Sequence, residues 1–228
     1  MKVYSFGAEN APAILLLPGT CCHWRGNFGR VIPLLSDRYR VLCVSYDGFD
    51  ETEHTEFPTM PEETEKIEAY IQKHCGGHIR AGYGCSLGGS FVGLLAARQN
   101  IHMDYGILGS SDLDQASPLA AKLQTNLLLL LIGAEDDALW DTAKYIRRME
   151  KRLAEKPHEC EIETMVYAHG THFVFPEGML KTMLPVGSGL FVQLAFQAAK
   201  KYPKECRQTR IDIEKRMCRT LADWKGEK

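Results

Sequence analysis

The chain has 228 residues, a length that fits one sizeable α/β domain over 1–228 and is cramped for two. Its 27 lysines and arginines are balanced by 29 aspartates and glutamates, so the basic surplus that phosphate-backbone binding needs is missing and nucleic acid is not an expected partner. The longest apolar run, 127–132, is too short for a membrane span, and the first residues lack the basic segment and apolar core of an export signal, which makes a cytoplasmic location the expectation.

Eight scattered cysteines without an export signal read as reduced thiols. Cys21 and Cys22 are adjacent and have no second pair at zinc-ribbon spacing. His169 and His172 stand three apart with no third ligand at a recognisable spacing, so no metal is expected. No repeat, low-complexity tract or composition shift marks a linker, and no pattern specifies an oligomeric state.

In chain order, 3–6 predicts a short edge strand and the apolar run 13–17, stopped by Pro18 and Gly19, a buried one. A helix is expected over 24–35. Residues 39–46 accumulate apolar side chains as a central parallel strand does, and 50–59 is charged enough for a surface loop. Pro61 near the start and Gly76 and Gly77 after the end bound a helix over 60–74. A strand at 78–83 then meets a helix of small and apolar residues over 87–98. Strands follow at 105–108 and 127–132, with a polar loop and a small helix near Leu119 between them. Residues 137–155 read as a helix, 161–167 as a strand, and 190–200 and 211–225 as closing helices. The alternation predicts an α/β fold, with a mostly parallel central sheet, right-handed crossovers and helices on both faces. In such sheets function gathers at the carboxyl ends of the strands.

The pentapeptide Gly84-Cys85-Ser86-Leu87-Gly88 lies between a predicted strand and a predicted helix, the context of a nucleophile elbow. A tight strand-to-helix turn lifts the serine hydroxyl clear of the sheet and crowds the positions two before and two after it, where glycine fits. Cys85 is a poorer nucleophile candidate because Tyr83 and Leu87 occupy those flanking positions around it; it reads as a packing residue. A serine needs a base, and the base needs an acid to orient it. The strand 127–132 runs into Glu135-Asp136-Asp137, and the strand 161–167 runs into His169 and His172. Asp112, after the preceding strand, is a further acid candidate, and Asp137 is alternatively a helix N-cap. His23 and His54 lie in loops on the same side and read as surface histidines or pocket residues.

With these segments the chain resembles the α/β-hydrolase family from about Ala11 to about Glu177. Leu15-Leu16-Leu17-Pro18-Gly19-Thr20 is similar to the family's loop after its third strand, with Pro18 where a histidine is usual. The stretch 39–49 is similar to the next strand and its turn, 84–88 to the elbow, and 133–136 to the acid loop. The resemblance implies Ser86 as nucleophile, Asp136 as the acid three residues after Gly133, and His172 as base, leading into a helix. It also implies the backbone amides of Thr20 and Leu87 as the oxyanion hole, with Cys21 in place of Thr20 if the loop is shifted by one. Only 109–126 separates two strands where relatives carry a lid, so a large cap is not expected and the site should be open, suiting short or medium acyl groups. The implied activity is that of a serine hydrolase of the carboxylesterase type, acting on a small acyl substrate through an acyl-enzyme, without metal or organic cofactor. A thioesterase or peptidase on the same residues, or a non-catalytic small-molecule-binding protein on this scaffold, is the alternative.

Overall fold

The computed structural model describes residues 1–20, 22–111, 127–155 and 160–222. Among these residues, seven strands form one sheet: β1 (Lys2–Phe6), β2 (Ala13–Leu17), β3 (Arg40–Ser45), β4 (His78–Cys85), β5 (His102–Gly109), β6 (Leu128–Ala134) and β7 (Glu161–Tyr167). Their order across the sheet is β1-β3-β2-β4-β5-β6-β7. Only β1 runs antiparallel, pairing with β3 at the edge. All other pairs are parallel, as expected for strands joined by helical crossovers.

Side chains alternate between two cores. Leu15 and Leu17 of β2 face one core and Ile14 and Leu16 the other; Leu129 and Leu131 of β6 are likewise opposed to Leu130 and Ile132. The first core is covered by α3 (Met60–Cys75), α4 (Leu87–Arg98) and α5 (Thr142–Ala154) through Ile67 and Ile71, Phe91 and Leu95, and Ile146, Met149 and Leu153. The second is covered by α1 (Trp24–Phe28), α2 (Ile32–Leu35), α6 (Glu177–Met183), α7 (Ser188–Ala195), α8 (Gln197–Lys201) and α9 (Pro203–Ala222). Fully burying a side chain such as Ile71 contributes roughly 1.5–3 kcal/mol, so the two clusters hold the sheet from both sides.

Helix boundaries follow local chemistry. The Thr59 hydroxyl accepts from the Glu62 amide while the Glu62 carboxylate accepts from the Thr59 amide, a capping box that starts α3, and Gly76 ends it at φ 62°. The single helix expected over 24–35 is two short ones, separated at Gly29–Val31. The helix expected over 190–200 breaks at Phe196, which is extended and sets its ring edge-on to Phe173 at 5.0 Å. The expected helix over 137–155 begins only at Thr142, with Asp141 capping it through a bond from the Lys144 amide.

α4 lies against the sheet along its whole length, burying every residue from Gly88 to Ala97. A Cβ on Gly106 would sit 2.7 Å from a Leu129 methyl and 3.1 Å from Val92, so the strand's missing side chain makes room for the helix. Between β5 and β6 the chain has only residues 110–127, too few for a large cap; the small helix expected near Leu119 lies outside the described residues.

Candidate active site

β4 delivers Ser86 at the carboxyl edge of the sheet. Ser86 has φ 53° and ψ −123°, a conformation that costs an L-residue about 1–3 kcal/mol and persists only where the surroundings impose it. Its amide donates to the Gly109 carbonyl at 2.7 Å and its carbonyl accepts from the Gly89 amide at 2.9 Å. The flanking glycines are sterically required. A Cβ on Gly84 would sit 2.0 Å from the Gly88 carbonyl oxygen, and one on Gly88 would sit 2.0 Å from the Leu17 carbonyl oxygen. Cys85, buried beside the turn, has its thiol pushed up to about 12 by desolvation, which keeps it protonated and a poor nucleophile.

His172 comes from the loop after β7. Its Nε2 is 3.2 Å from Ser86 Oγ, and its Nδ1 is 3.0 Å from Asp137 Oδ2 and 3.2 Å from Asp137 Oδ1. An ionised carboxylate only accepts, so Nδ1 carries the proton and Nε2 is the acceptor for the serine hydroxyl. The Asp137 side chain is 0% exposed, and its charge is met by hydrogen bonds rather than water. Oδ1 accepts from the amides of Leu139 (3.0 Å) and Trp140 (3.1 Å), and Oδ2 accepts from the Thr142 hydroxyl (3.1 Å).

The carboxylate beside His172 is not the expected one. Asp136 does not reach His172. Its Oδ1 accepts from the amides of Gly170 (2.9 Å) and Thr171 (2.8 Å), and its Oδ2 lies 3.2 Å from His169 Nδ1. Asp136 therefore braces the histidine loop from below, and its neighbour turns inward because the Leu139 and Trp140 amides gather its carboxylate. Asp137 is not the cap of α5 either; Asp141 is. Glu135 pairs outward with Arg147, and Asp112 lies outside the described residues.

Further contacts fix His172. Thr171 adopts φ 62° and its hydroxyl accepts from the Phe173 amide at 3.1 Å. Ser110, itself at φ 46° just after β5, donates its hydroxyl to the His172 carbonyl at 2.5 Å. His169 stacks on Tyr202 with centroids 3.7 Å apart, and its carbonyl accepts from Thr209 at 2.6 Å, tying the loop to the closing helices. Sequence reasoning missed Ser110, Thr142 and Tyr202, which carry no motif of their own.

The cavity in front of Ser86 has a volume of about 420 Å³ and is lined by Thr20, Cys22, Leu139, Trp140, Phe173, Phe175 and Met183, among others. The Trp140 ring stands edge-on to the His172 ring at 5.1 Å. Leu87 is the first residue of α4, so its amide is one of the donors that a helix start leaves without an internal partner. Thr20 lines the cavity on a loop whose bonds include Gly19 N–H to Asn27 Oδ1 at 3.0 Å and Tyr46 hydroxyl to the Pro18 carbonyl at 3.1 Å. Cys21 lies outside the described residues. His23 and His54 are not part of this wall: His23 caps α1 and His54 is exposed. The loop 50–59 is not part of it either, since Phe57 packs with Tyr46 and Phe91 below.

The sequence profile of the alpha/beta hydrolase family matches residues 14–166. The chain belongs to this family. Among solved structures it is similar to the carboxylesterase CesB from Bacillus subtilis, at 14% identity and a TM-score of 0.55, covering 86% of each chain. The enol-lactonase from Burkholderia xenovorans is similar at 14% identity and a TM-score of 0.55, with 72% of this chain and 87% of that chain covered. A thioesterase domain from the curacin biosynthetic pathway is similar at 12% identity and a TM-score of 0.58, with 75% and 89% covered. At these identities the likeness is one of fold. No curated protein matches the chain by sequence. Among the described residues, no helix is long and apolar enough to cross a membrane.

Proposed function

We propose that this alpha/beta hydrolase is a serine hydrolase that cleaves carboxylic esters or related acyl compounds, with Ser86 as nucleophile, His172 as general base and Asp137 as the orienting acid. The observation that carries this reading is the continuous relay from Ser86 Oγ through His172 to the buried Asp137 carboxylate, at 3.2 and 3.0 Å. Ser86 attacks the acyl carbon while His172 Nε2 takes its proton. The carbonyl oxygen becomes an oxyanion, which the amides of Leu87 and Thr20 receive; one such donor contributes about 3–4 kcal/mol to the transition state. The tetrahedral intermediate collapses, and His172 returns the proton to the departing oxygen. Water then attacks the acyl-enzyme with His172 again as base, releasing the acid and Ser86.

The modest cavity with aromatic and thioether walls favours short or medium acyl groups, and the missing large cap leaves it accessible. The test is hydrolysis of p-nitrophenyl esters from acetate upward, with Ser86→Ala as control. Turnover by the wild type that disappears in the variant is the expected result, with the specificity constant falling at long chains. Turnover that survives in Ser86→Ala would remove the serine from the mechanism. Activity confined to thioesters or amides would keep the residues and change the bond cleaved, and saturable binding without any turnover would make the protein a binding module.

A further inference from the structure

A cluster of two histidines and an aspartate lies at the other end of the same strands. His78 opens β4 and His102 opens β5, and the two are direct partners in the parallel register. Asp104, two residues along β5, projects from the same face as His102. The Asp104 Oδ1 oxygen lies 3.0 Å from His78 Nε2 and 3.3 Å from His102 Nε2. One ligand atom from each of the three residues lies within 4.8 Å of the others.

We propose that His78, His102 and Asp104 form a binding site for a zinc-class divalent cation that clips together the amino-terminal ends of β4 and β5. Two imidazole nitrogens and one carboxylate oxygen are a donor set suited to zinc, and a poor one for magnesium or calcium, which take oxygen ligands. Around a tetrahedral zinc ion with bonds of about 2.0–2.1 Å, donor atoms stand roughly 3.3 Å apart, so the carboxylate-to-imidazole spacings here need little change. Arg80 binds the other oxygen of Asp104 at 3.0 Å and fixes the carboxylate, the outer-shell role that partners of metal ligands commonly play. Each imidazole would bind through Nε2 and keep its ring proton on Nδ1. A cavity of about 550 Å³ beside Asp104, walled also by His74 and Cys75, gives access and leaves the fourth position to water. The site sits at the opposite ends of the strands from Ser86, so it stands or falls independently of the proposed hydrolysis.

The experiment is a titration of the full-length protein with zinc sulfate in competition with a chromophoric chelator, accompanied by thermal unfolding with and without zinc. The expected result is one zinc equivalent that is lost in both His78→Ala and His102→Ala, weakened by more than about tenfold in Asp104→Asn, and unchanged in His54→Ala. Zinc should raise Tm of the wild type and leave that of His102→Ala unmoved, because an ion that binds only the folded state stabilises it. Asp104→Asn preserves shape and keeps the test valid should an alanine variant fail to fold. Absence of a saturable site in the wild type, or equal zinc binding in the wild type and the histidine variants, would overturn the proposal.

Discussion

Asp136 and Asp137 are chain neighbours that serve opposite sides of the histidine loop. Asp137 meets the imidazole of His172, while Asp136 receives the amides of Gly170 and Thr171. Their substitutions should therefore fail differently. Asp137→Asn leaves the space filled but presents an amide donor to Nδ1, favouring the wrong tautomer; kcat on an ester substrate should fall by about 10⁴ with little change in Tm. Asp136→Ala removes the acceptor of two loop amides and should lower stability by about 1–3 kcal/mol in denaturant unfolding, with a smaller loss of kcat. If instead Asp136→Ala abolished turnover in a fully folded protein and Asp137→Asn did not, the assignment would revert to Asp136. Ser86 and His172, which lie in hydrogen-bond contact, were legible in the sequence because an elbow needs its glycines and the loop after a strand reaches the same edge of the sheet. The resemblance favoured Asp136 over its neighbour, and the sequence held nothing to correct that, since the choice rests on which way the backbone amides of Leu139 and Trp140 point. Nor did it single out Ser110, whose contribution is one bond to a carbonyl 62 residues away.

At the scale of elements, periodicity and punctuation located every strand to within a few residues, because buried parallel strands are apolar on both faces. Helices were legible where capping chemistry stood in the sequence, as with Thr59, Pro61 and Gly76 around α3. They were misjudged where tertiary contacts intervened. Phe196 leaves helical geometry to meet Phe173, and the five residues after Asp136 form a turn around the Asp137 carboxylate before α5 starts. The crossing of β2 and α4 at the elbow gives a direct test. Gly88→Ala places a methyl 2.0 Å from the Leu17 carbonyl oxygen, backbone that cannot rotate away. Activity should be lost together with cooperative unfolding at the wild-type temperature, while Gly189→Ala, which meets nothing within 4 Å, should leave both intact. A Gly88→Ala protein with wild-type Tm and turnover would contradict the packing at this crossing.

For the molecule as a whole, the order of strands puts the proposed active site on central strands and leaves β1 as an antiparallel edge. That edge is secured through Asp50, whose carboxylate accepts from the Tyr4 hydroxyl at 2.9 Å and from the Thr52 amide at 2.9 Å. Burial by itself would raise its pKa, but these bonds together with that of the Thr52 hydroxyl hold it well below the usual carboxylate range. A depressed native pKa contributes stability that is fully present above the unfolded value, about 3.9, and is lost as pH falls below it. The denaturant midpoint of the wild type should accordingly drop more steeply below about pH 4 than that of Asp50→Asn; parallel curves would mean that Asp50 is not a source of acid lability. The turn from Asp137 to Thr142 has a wider consequence. The groups that hold the Asp137 carboxylate there include the backbone amides of Leu139 and Trp140, whereas the same two residues also line the cavity. Main-chain donors are indifferent to the side chains they carry, so mutation at Leu139 can reshape the cavity without loosening the Asp137 carboxylate, and the wall can drift within this scaffold while the hydrogen-bonded line from Ser86 through His172 to Asp137 is inherited unchanged.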